Sequence, residues 1–301
     1  MTKTSDTKTI DTKTFGFIGL GLMGAGFTKR LSKSGYEVIG FDLSPDRLRE
    51  AAEWGVAAAG SPAEVAAQAD IIAICVTTTK AVEQVVSGSS GLLAGDMKGK
   101  TVVDFSTTEM ATTLRIAGKL EENGASFIDA PVSGGPGAAE EGTLAIMAGG
   151  EVAAVEAVRP ILETLGLLTH MGAVGAGQAT KLVNQALCLT NYCVVAEGLR
   201  LAEAYGVDAS KIPAALAPGL GNSAVLQAMM PRMIAREFAP RGYARQILKD
   251  LEMLHEATRE KHVSMPMAAM TTTLFRMLVA QGKGELDGVA VLTLLPEPAA
   301  E

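Results

Sequence analysis

Six short apolar runs, separated by helix-length segments, fill the first half of this 301-residue chain. That alternation restricts the fold more than any other feature. The runs cover 14–20 (TFGFIGL), 37–43 (EVIGFDL), 71–76 (IIAICV), 101–106 (TVVDFS), 126–132 (SFIDAPV) and 144–150 (LAIMAGG). Strands joined by crossovers of this length build a mostly parallel sheet with helices on its faces. One crossover, SPDRLREAAEWG, starts with Ser44 and Pro45, where serine can cap and proline can open a helix. After GAVGAGQ (172–178) the pattern changes. A long helix is expected over roughly 179–205, and 223–238, 244–262 and 267–282 also read as helices. The expected fold class is α/β: a doubly wound, mostly parallel sheet over 14–176, then an all-α region over 177–301, the two joined by a long helix.

Composition narrows the partners. With 48% hydrophobic and 20% charged residues, the chain can bury a core in each of two domains. A net charge of −7 gives no electrostatic attraction to nucleic acid or to an anionic membrane, and neither is an expected partner. The longest uncharged stretch, 212–231, holds three prolines and cannot span a bilayer. Residues 1–13, with a repeated DTKT, read as a polar, disordered leader. The cysteines (Cys75, Cys188, Cys193) and histidines (His170, His255, His262) show neither metal-ligand spacing nor a disulfide framework. No metal is expected, and a reducing cytoplasm is the expected compartment.

Between the first two runs, Gly19, Gly21 and Gly24 have G-x-G-x-x-G spacing, directly after a strand and at the opening of a helix. Glycines collect at turns for steric reasons alone, so the setting carries the argument. Gly19 permits the turn, Gly21 lets the backbone approach a pyrophosphate, and Gly24 allows close helix packing. Gly19, Leu20, Gly21, Leu22, Met23 and Gly24 are therefore the candidate cradle, with the pyrophosphate at the positive end of the helix. About 20 residues further on, the second strand ends at Asp42, whose carboxylate can accept from ribose hydroxyls and repels a 2′-phosphate. NAD is expected in preference to NADP, with Arg47 and Arg49 close enough to admit some NADP. The plainer role for Asp42, capping the next helix, is one that Ser44 can fill.

Four stretches occur in order: GFIGLGLMG (16–24), DAPVSGG (129–135), GAGQATKLVNQ (175–185) and ILKDL (247–251). On these the chain resembles the β-hydroxyacid dehydrogenase family over about residues 15–295. The resemblance implies a Rossmann domain and a helical C-terminal domain. It implies oxidation of a hydroxyl β to a carboxylate, or reduction of the matching aldehyde, without a metal and with Lys181 as the catalytic lysine. It assigns Ser133, Gly134 and Gly135 to the substrate, Lys249 to substrate and cofactor, and Asp250 to the cofactor. It places Thr107 by the nicotinamide end, and Val76 and Thr77 in the loop over the cofactor. Asn222 and Tyr243 are expected on the far wall of the pocket. Asn222 lies in a GNS stretch like that of the threonate-type members, although Ala224 stands where those have an aromatic residue.

Chemistry supports the lysine separately. Hydride transfer at a carbonyl needs a proton partner, and without a metal or a histidine in a motif, lysine is the best candidate. Helical spacing puts Lys181 and Asn184 on one face, continued by Cys188 and Asn191, so Asn184 can orient the amine or the substrate hydroxyl. Burial and neighbouring positive charge are expected to pull the lysine toward neutrality, as a base requires. Taken alone, a lysine in the first turn of a helix is usually solvated; the glycine-rich approach and the resemblance reverse that. At a strand end, Ser133, Gly134 and Gly135 can offer a hydroxyl and successive amides to a carboxylate.

Four positions depart from the family's common pattern: Thr77 where proline is frequent, no proline after Ser106-Thr107, Gln185 where a second asparagine is common, and Arg30 for a frequent asparagine. Two other functions use the same fold. One is a non-catalytic dinucleotide-binding reader or adaptor, against which the retention of Lys181, Asn184 and Lys249 argues. The other is imine reduction, whose practitioners usually replace the lysine. A helical half rich in Ala, Leu and Met is expected to associate as a homodimer or homotetramer.

Overall fold

Side chains along the first strand alternate between two buried faces, which is how a strand covered on both sides by helices must read. In β1 (Thr14–Ile18), Phe15 and Phe17 enter one core, with Phe27 and Phe105, while Ile18 enters the other, with Val65, Ile72 and Ile74. This computed structural model describes residues 14–298; the leader expected at 1–13 lies outside the described residues. The chain divides into two compact units, the first ending at Lys181 and the second beginning at Leu182.

In the first unit, β1 is followed by α1 (Leu22–Lys33), β2 (Glu37–Phe41), α2 (Pro45–Ala52), β3 (Ala57–Ala58), α3 (Pro62–Gln68), β4 (Ile71–Ile74) and α4 (Thr79–Ser87). Then come β5 (Thr101–Asp104), α5 (Met110–Glu122), β6 (Ser126–Asp129), β7 (Val132–Ser133), α6 (Gly135–Glu141), β8 (Leu144–Gly149), α7 (Val152–Leu162) and β9 (Gly166–Gly172). The sheet runs β3-β2-β1-β4-β5-β6-β8-β7, with β9 beside β8. Pairing is parallel from β3 through β6 and antiparallel where β8 meets β6 and β7. Strand order therefore reverses direction between β1 and β4, and the crevice outside their carboxyl ends is where such sheets take ligands.

Two local readings change. The run 126–132 is not one strand. β6 ends at Asp129, Pro131 has no N–H to give a ladder, and β7 resumes at Val132 in the same direction and the same antiparallel register against β8. Ser44 stands at the N-cap of α2, but its hydroxyl makes no capping bond; instead its backbone N–H donates to Asp42 Oδ1 at 2.8 Å.

Helix α8 (Ala176–Ala204) runs through the boundary between the units. The second unit continues with α9 (Ile212–Leu216), α10 (Ala224–Ile234), α11 (Ala244–Glu260) and α12 (Pro266–Leu278). Helix α11 buries Ala244, Ile247, Leu251 and Leu254, one amphipathic stripe, against a core that includes Met233, Phe275 and Leu278. Among the described residues, no helix is long and apolar enough to cross a membrane.

Candidate active site

The glycine loop bridges β1 and α1 at the crevice edge. Gly19 has φ +99°, and a Cβ there would come within 2.2 Å of the Cys75 carbonyl oxygen at the end of β4. A Cβ on Gly24 would fall 1.9 Å from the Gly19 carbonyl oxygen, so the helix can close on the loop only without a side chain. Gly21, the N-cap of α1, is different: a Cβ there would meet nothing within 4 Å. Open space therefore lies over the residue whose backbone should face a ligand, and the first-turn N–H groups of Leu22, Met23 and Gly24 have no intrahelical acceptor. These residues fit a pyrophosphate.

Asp42 follows β2 and ties the loop down. Its Oδ2 accepts from Leu20 N at 2.7 Å and its Oδ1 from Ser44 N at 2.8 Å, so it both positions the loop and starts the next turn. Each carboxylate oxygen has a second lone pair, which leaves acceptor capacity for ribose hydroxyls. Arg47 and Arg49 are ion-paired within α2, to Glu50 and Asp46. At the end of β4, Val76 N donates to Ser106 Oγ at 3.0 Å, and Thr77 is exposed. Thr107 is half-buried beside them in sequence.

Below this rim lies a buried polar lattice that the motifs do not announce. Asp104 and Asp129 are register partners at the ends of β5 and β6, and both are fully buried. Asp104 accepts from Ser106 N (2.9 Å) and Thr108 Oγ1 (3.0 Å). Gln178 donates to Ser106 O at 2.8 Å and accepts from Thr108 N at 3.1 Å. Asp129 Oδ1 accepts from Gly175 N and its Oδ2 from Gln178 N, each at 2.7 Å, so it caps the start of α8 from a strand more than forty residues earlier. These bonds and the helix dipole aim the first turns of α8.

Lys181 is in the second turn. It is only 8% exposed, and its Nζ donates to Val132 O at 2.7 Å, the last residue before Ser133. Ser133 is half-buried, and Gly134 (φ +134°) and Gly135 (φ +78°) take conformations that favour glycine. The first unit thus brings together Lys181 and the Ser133, Gly134, Gly135 turn. Arg30 has a structural job there: its Nε donates to Thr164 O at 2.8 Å, tying α1 to the turn after α7.

Burial pushes the Asp129 carboxyl up to about 6, against the two backbone N–H bonds that pull it down. Because its folded value lies above the unfolded one, the folded state holds the extra proton between about pH 4 and 6, and this group's contribution to stability falls as pH rises through that window. A displacement of that size corresponds to roughly 3 kcal/mol. Part of that is already lost at pH 4.5, so urea melts at pH 4.5 and 7 should show wild type losing about 2 kcal/mol more than Asp129→Asn; parallel profiles would contradict the assignment.

In the second unit, Asn184 Nδ2 donates to Gln185 Oε1 at 2.9 Å, Gln185 Nε2 donates to Asp250 Oδ2, and Asp250 Oδ1 pairs with Lys249 Nζ at 3.0 Å. Asn184, Lys249 and Asp250 thus form one chain through Gln185. Two other expected residues lie apart from it. Asn222 is exposed and closes its own turn, donating to Ala217 O at 3.0 Å and accepting from Gln227. Tyr243 is the N-cap of α11, with the Arg245 guanidinium 4.7 Å from its ring centre.

Residues 14–181 match the family described as the NAD binding domain of 6-phosphogluconate dehydrogenase. Residues 175–295 match the family described as NAD-binding of NADP-dependent 3-hydroxyisobutyrate dehydrogenase. The chain is 35% identical over 266 residues to 2-hydroxy-3-oxopropionate reductase of Escherichia coli, covering 88% of this chain and 91% of that protein. It is 36% identical over 264 residues to 2-(hydroxymethyl)glutarate dehydrogenase of Eubacterium barkeri, covering 87% and 88%. Among solved structures, 3-hydroxyisobutyrate dehydrogenase from Salmonella typhimurium superposes with a TM-score of 0.84 at 27% identity, over 94% of this chain and 99% of that one. Psf3, in complex with NADP+ and 2-OPP, gives a TM-score of 0.87 at 25% identity, over 94% and 100%. Two family matches laid end to end over this geometry leave one conclusion: the chain belongs to the β-hydroxyacid dehydrogenase family.

Proposed function

We infer that this chain interconverts a small β-hydroxy carboxylate and its aldehyde or semialdehyde, with NAD preferred and Lys181 as the general acid and base. The chain is an NAD(P)-dependent oxidoreductase of small hydroxy acids. One observation carries the finer reading. The ammonium of Lys181 is withdrawn from water and held at Val132 O, 2.7 Å away, at the carboxyl end of the sheet and next to the Ser133 turn. A cofactor on the Gly19, Gly21, Gly24 loop supplies the hydride acceptor or donor. Lys181 takes the hydroxyl proton in oxidation and returns it in reduction. The Ser133 hydroxyl and the amides of Gly134 and Gly135 hold the carboxylate, with Lys249 as its countercharge. Asn184 orients the hydroxyl. Thr107, Val76 and Thr77 border the nicotinamide end, and Asn222 and Tyr243 wall the substrate.

The Asp42 carboxylate supports NAD, since a 2′-phosphate would be placed against a negative charge already anchored by two backbone bonds. A spectrophotometric screen tests the whole reading: 3-hydroxyisobutyrate, glycerate, threonate and 4-hydroxybutyrate, each with NAD and with NADP. Turnover of at least one acid, faster with NAD, is expected. Flat traces throughout would favour the non-catalytic reader.

A homo-oligomer belongs to the same reading. Val183, Leu187, Val194 and Leu201 are each at least half exposed along α8, at a spacing of four, seven and seven that makes one apolar stripe. Light scattering should give at least twice the mass of the chain, and a monomer at micromolar concentration would remove this part.

A further inference from the structure

Helix α1 carries more than the glycine loop. Gly26, Lys29, Arg30 and Lys33 share one of its faces, and that face meets α6. A Cβ on the buried Gly26 would fall 2.7 Å from Pro136 O, 2.9 Å from Ala139 Cβ and 3.2 Å from Glu140 N, so the two helices touch through bare backbone. Unlike Gly19, Gly26 has no positive φ, and glycine weakens a helix interior, so neither a turn nor the helix itself calls for it. At Gly118 and Gly198, also within helices, a Cβ would meet nothing within 4 Å. The same face holds the rest of α6. Lys29 and Lys33 reach Glu140 at 3.5 and 3.2 Å, and Arg30 Nε lies 2.6 Å from where a Cβ on Gly142, the C-cap of α6, would stand.

These contacts advance together, Gly26 meeting 136–140 and Arg30 meeting 142, so α1 and α6 run in the same direction. Their starts are therefore at the same end: the glycine loop opens α1, and the Ser133, Gly134, Gly135 turn opens α6. A close-packed contact passes a displacement on and does not absorb it. We propose that Gly26 is a positioning residue: its contact with Pro136 and Ala139 makes α1 and α6 one body, and so sets the spacing between the cofactor cradle and the carboxylate turn. This rests on the assignment of that turn to the substrate. An alanine at 26 forces α6 back by about half an ångström before Pro136 O is at ordinary contact, and it adds no atom to the cradle. Cofactor affinity then stays as it was, and the alignment of the two ligands is what changes.

Hydrogen exchange tests this without turnover. ADP-ribose carries the pyrophosphate and lacks the nicotinamide, so it loads the cradle alone; in wild type it should slow the amides of 137–142 by at least about threefold. Gly26→Ala should bind ADP-ribose within about twofold of wild type and lose that slowing, while the amides of α1 keep theirs. A merely structural role would quicken exchange in the free variant and leave the effect of ADP-ribose on α6 intact. Arg30→Met releases the far end of α6 and adds nothing at the Gly26 contact; it should weaken the slowing by about half or more, so the test does not hang on one variant. With the acid that the screen identifies, Gly26→Ala should lower kcat/KM for that acid about tenfold and leave KM for NAD within about twofold. No slowing of α6 in wild type, the same slowing in Gly26→Ala, or an unchanged kcat/KM overturns the proposal. A wild type inactive on every acid removes the dehydrogenase reading instead, and the exchange result still decides whether Gly26 couples the two helices.

Discussion

Lys181→Met should lower kcat by about two to four orders of magnitude and leave cofactor affinity within a few-fold. Methionine keeps the apolar stem that fills the site and removes only the ammonium, so the loss reports proton transfer and not packing. The Val132 carbonyl loses one charged donor, a cost of roughly 1–3 kcal/mol, which a melting curve measures separately from rate. The two are distinguished further by Lys181→Ala, where small added primary amines should restore part of the rate in proportion to their basicity. A variant that binds cofactor and retains more than a third of wild-type turnover would take the acid and base role from this lysine.

How the lysine comes to its place explains what the sequence could and could not disclose. Local chemistry is legible. Alternating apolar side chains in β1, a glycine that must turn and an acid at the end of β2 all act within about 25 residues, and each leaves a mark in spacing. The exceptions are of the same kind. Ser44 has the sequence of a capping residue, yet its hydroxyl makes no capping bond and its own N–H is taken by Asp42 two positions earlier, which nothing in the order of residues announces. The run at 126–132 reads as one strand because hydrophobicity does not record that the ladder breaks at Pro131, past which the chain has left β5 and pairs with β8 alone.

The site's support was not legible for a different reason. Asp129 caps α8 from 46 residues away and Gln178 closes a lattice with Ser106 and Thr108 across 70, so no window of sequence contains both partners. One signal was available. An aspartate in an otherwise apolar strand end is costly to bury unless several donors converge on it, and both Asp104 and Asp129 stand at such ends. The same argument applies to Gln185, which reads as a mere departure from family habit until Asp250 is seen 65 residues further on. The motifs name the candidate groups, and long-range hydrogen bonds to buried carboxylates hold the elements that carry them.

A third buried carboxylate, in the second unit, should have the largest effect on stability: Asp287→Ala is expected to cost about 3–5 kcal/mol. Asp287 pairs with Arg232 at 3.1 Å, their side chains 3% and 6% exposed. It also accepts from Arg241 N (2.7 Å), Gly242 N (3.1 Å) and Val289 N (3.1 Å), so it fastens the loop that leads into Tyr243 and α11. Alanine leaves a buried guanidinium, the buried Val289 N–H and two partly buried backbone donors without that acceptor, and the midpoint of the unit's thermal transition should fall by at least about 10 °C. Because the penalty comes mainly from the stranded charge, removing both partners is milder than removing one. Arg232→Met with Asp287→Ala should recover more than half of the loss, although Arg232 also holds Ala239 O at 2.8 Å. Activity should follow the melting curve, since α11 carries Lys249 and Asp250. If calorimetry finds Asp287→Ala within 1 kcal/mol of wild type, the buried pair does not hold that loop, and Tyr243 and α11 must be fastened from elsewhere.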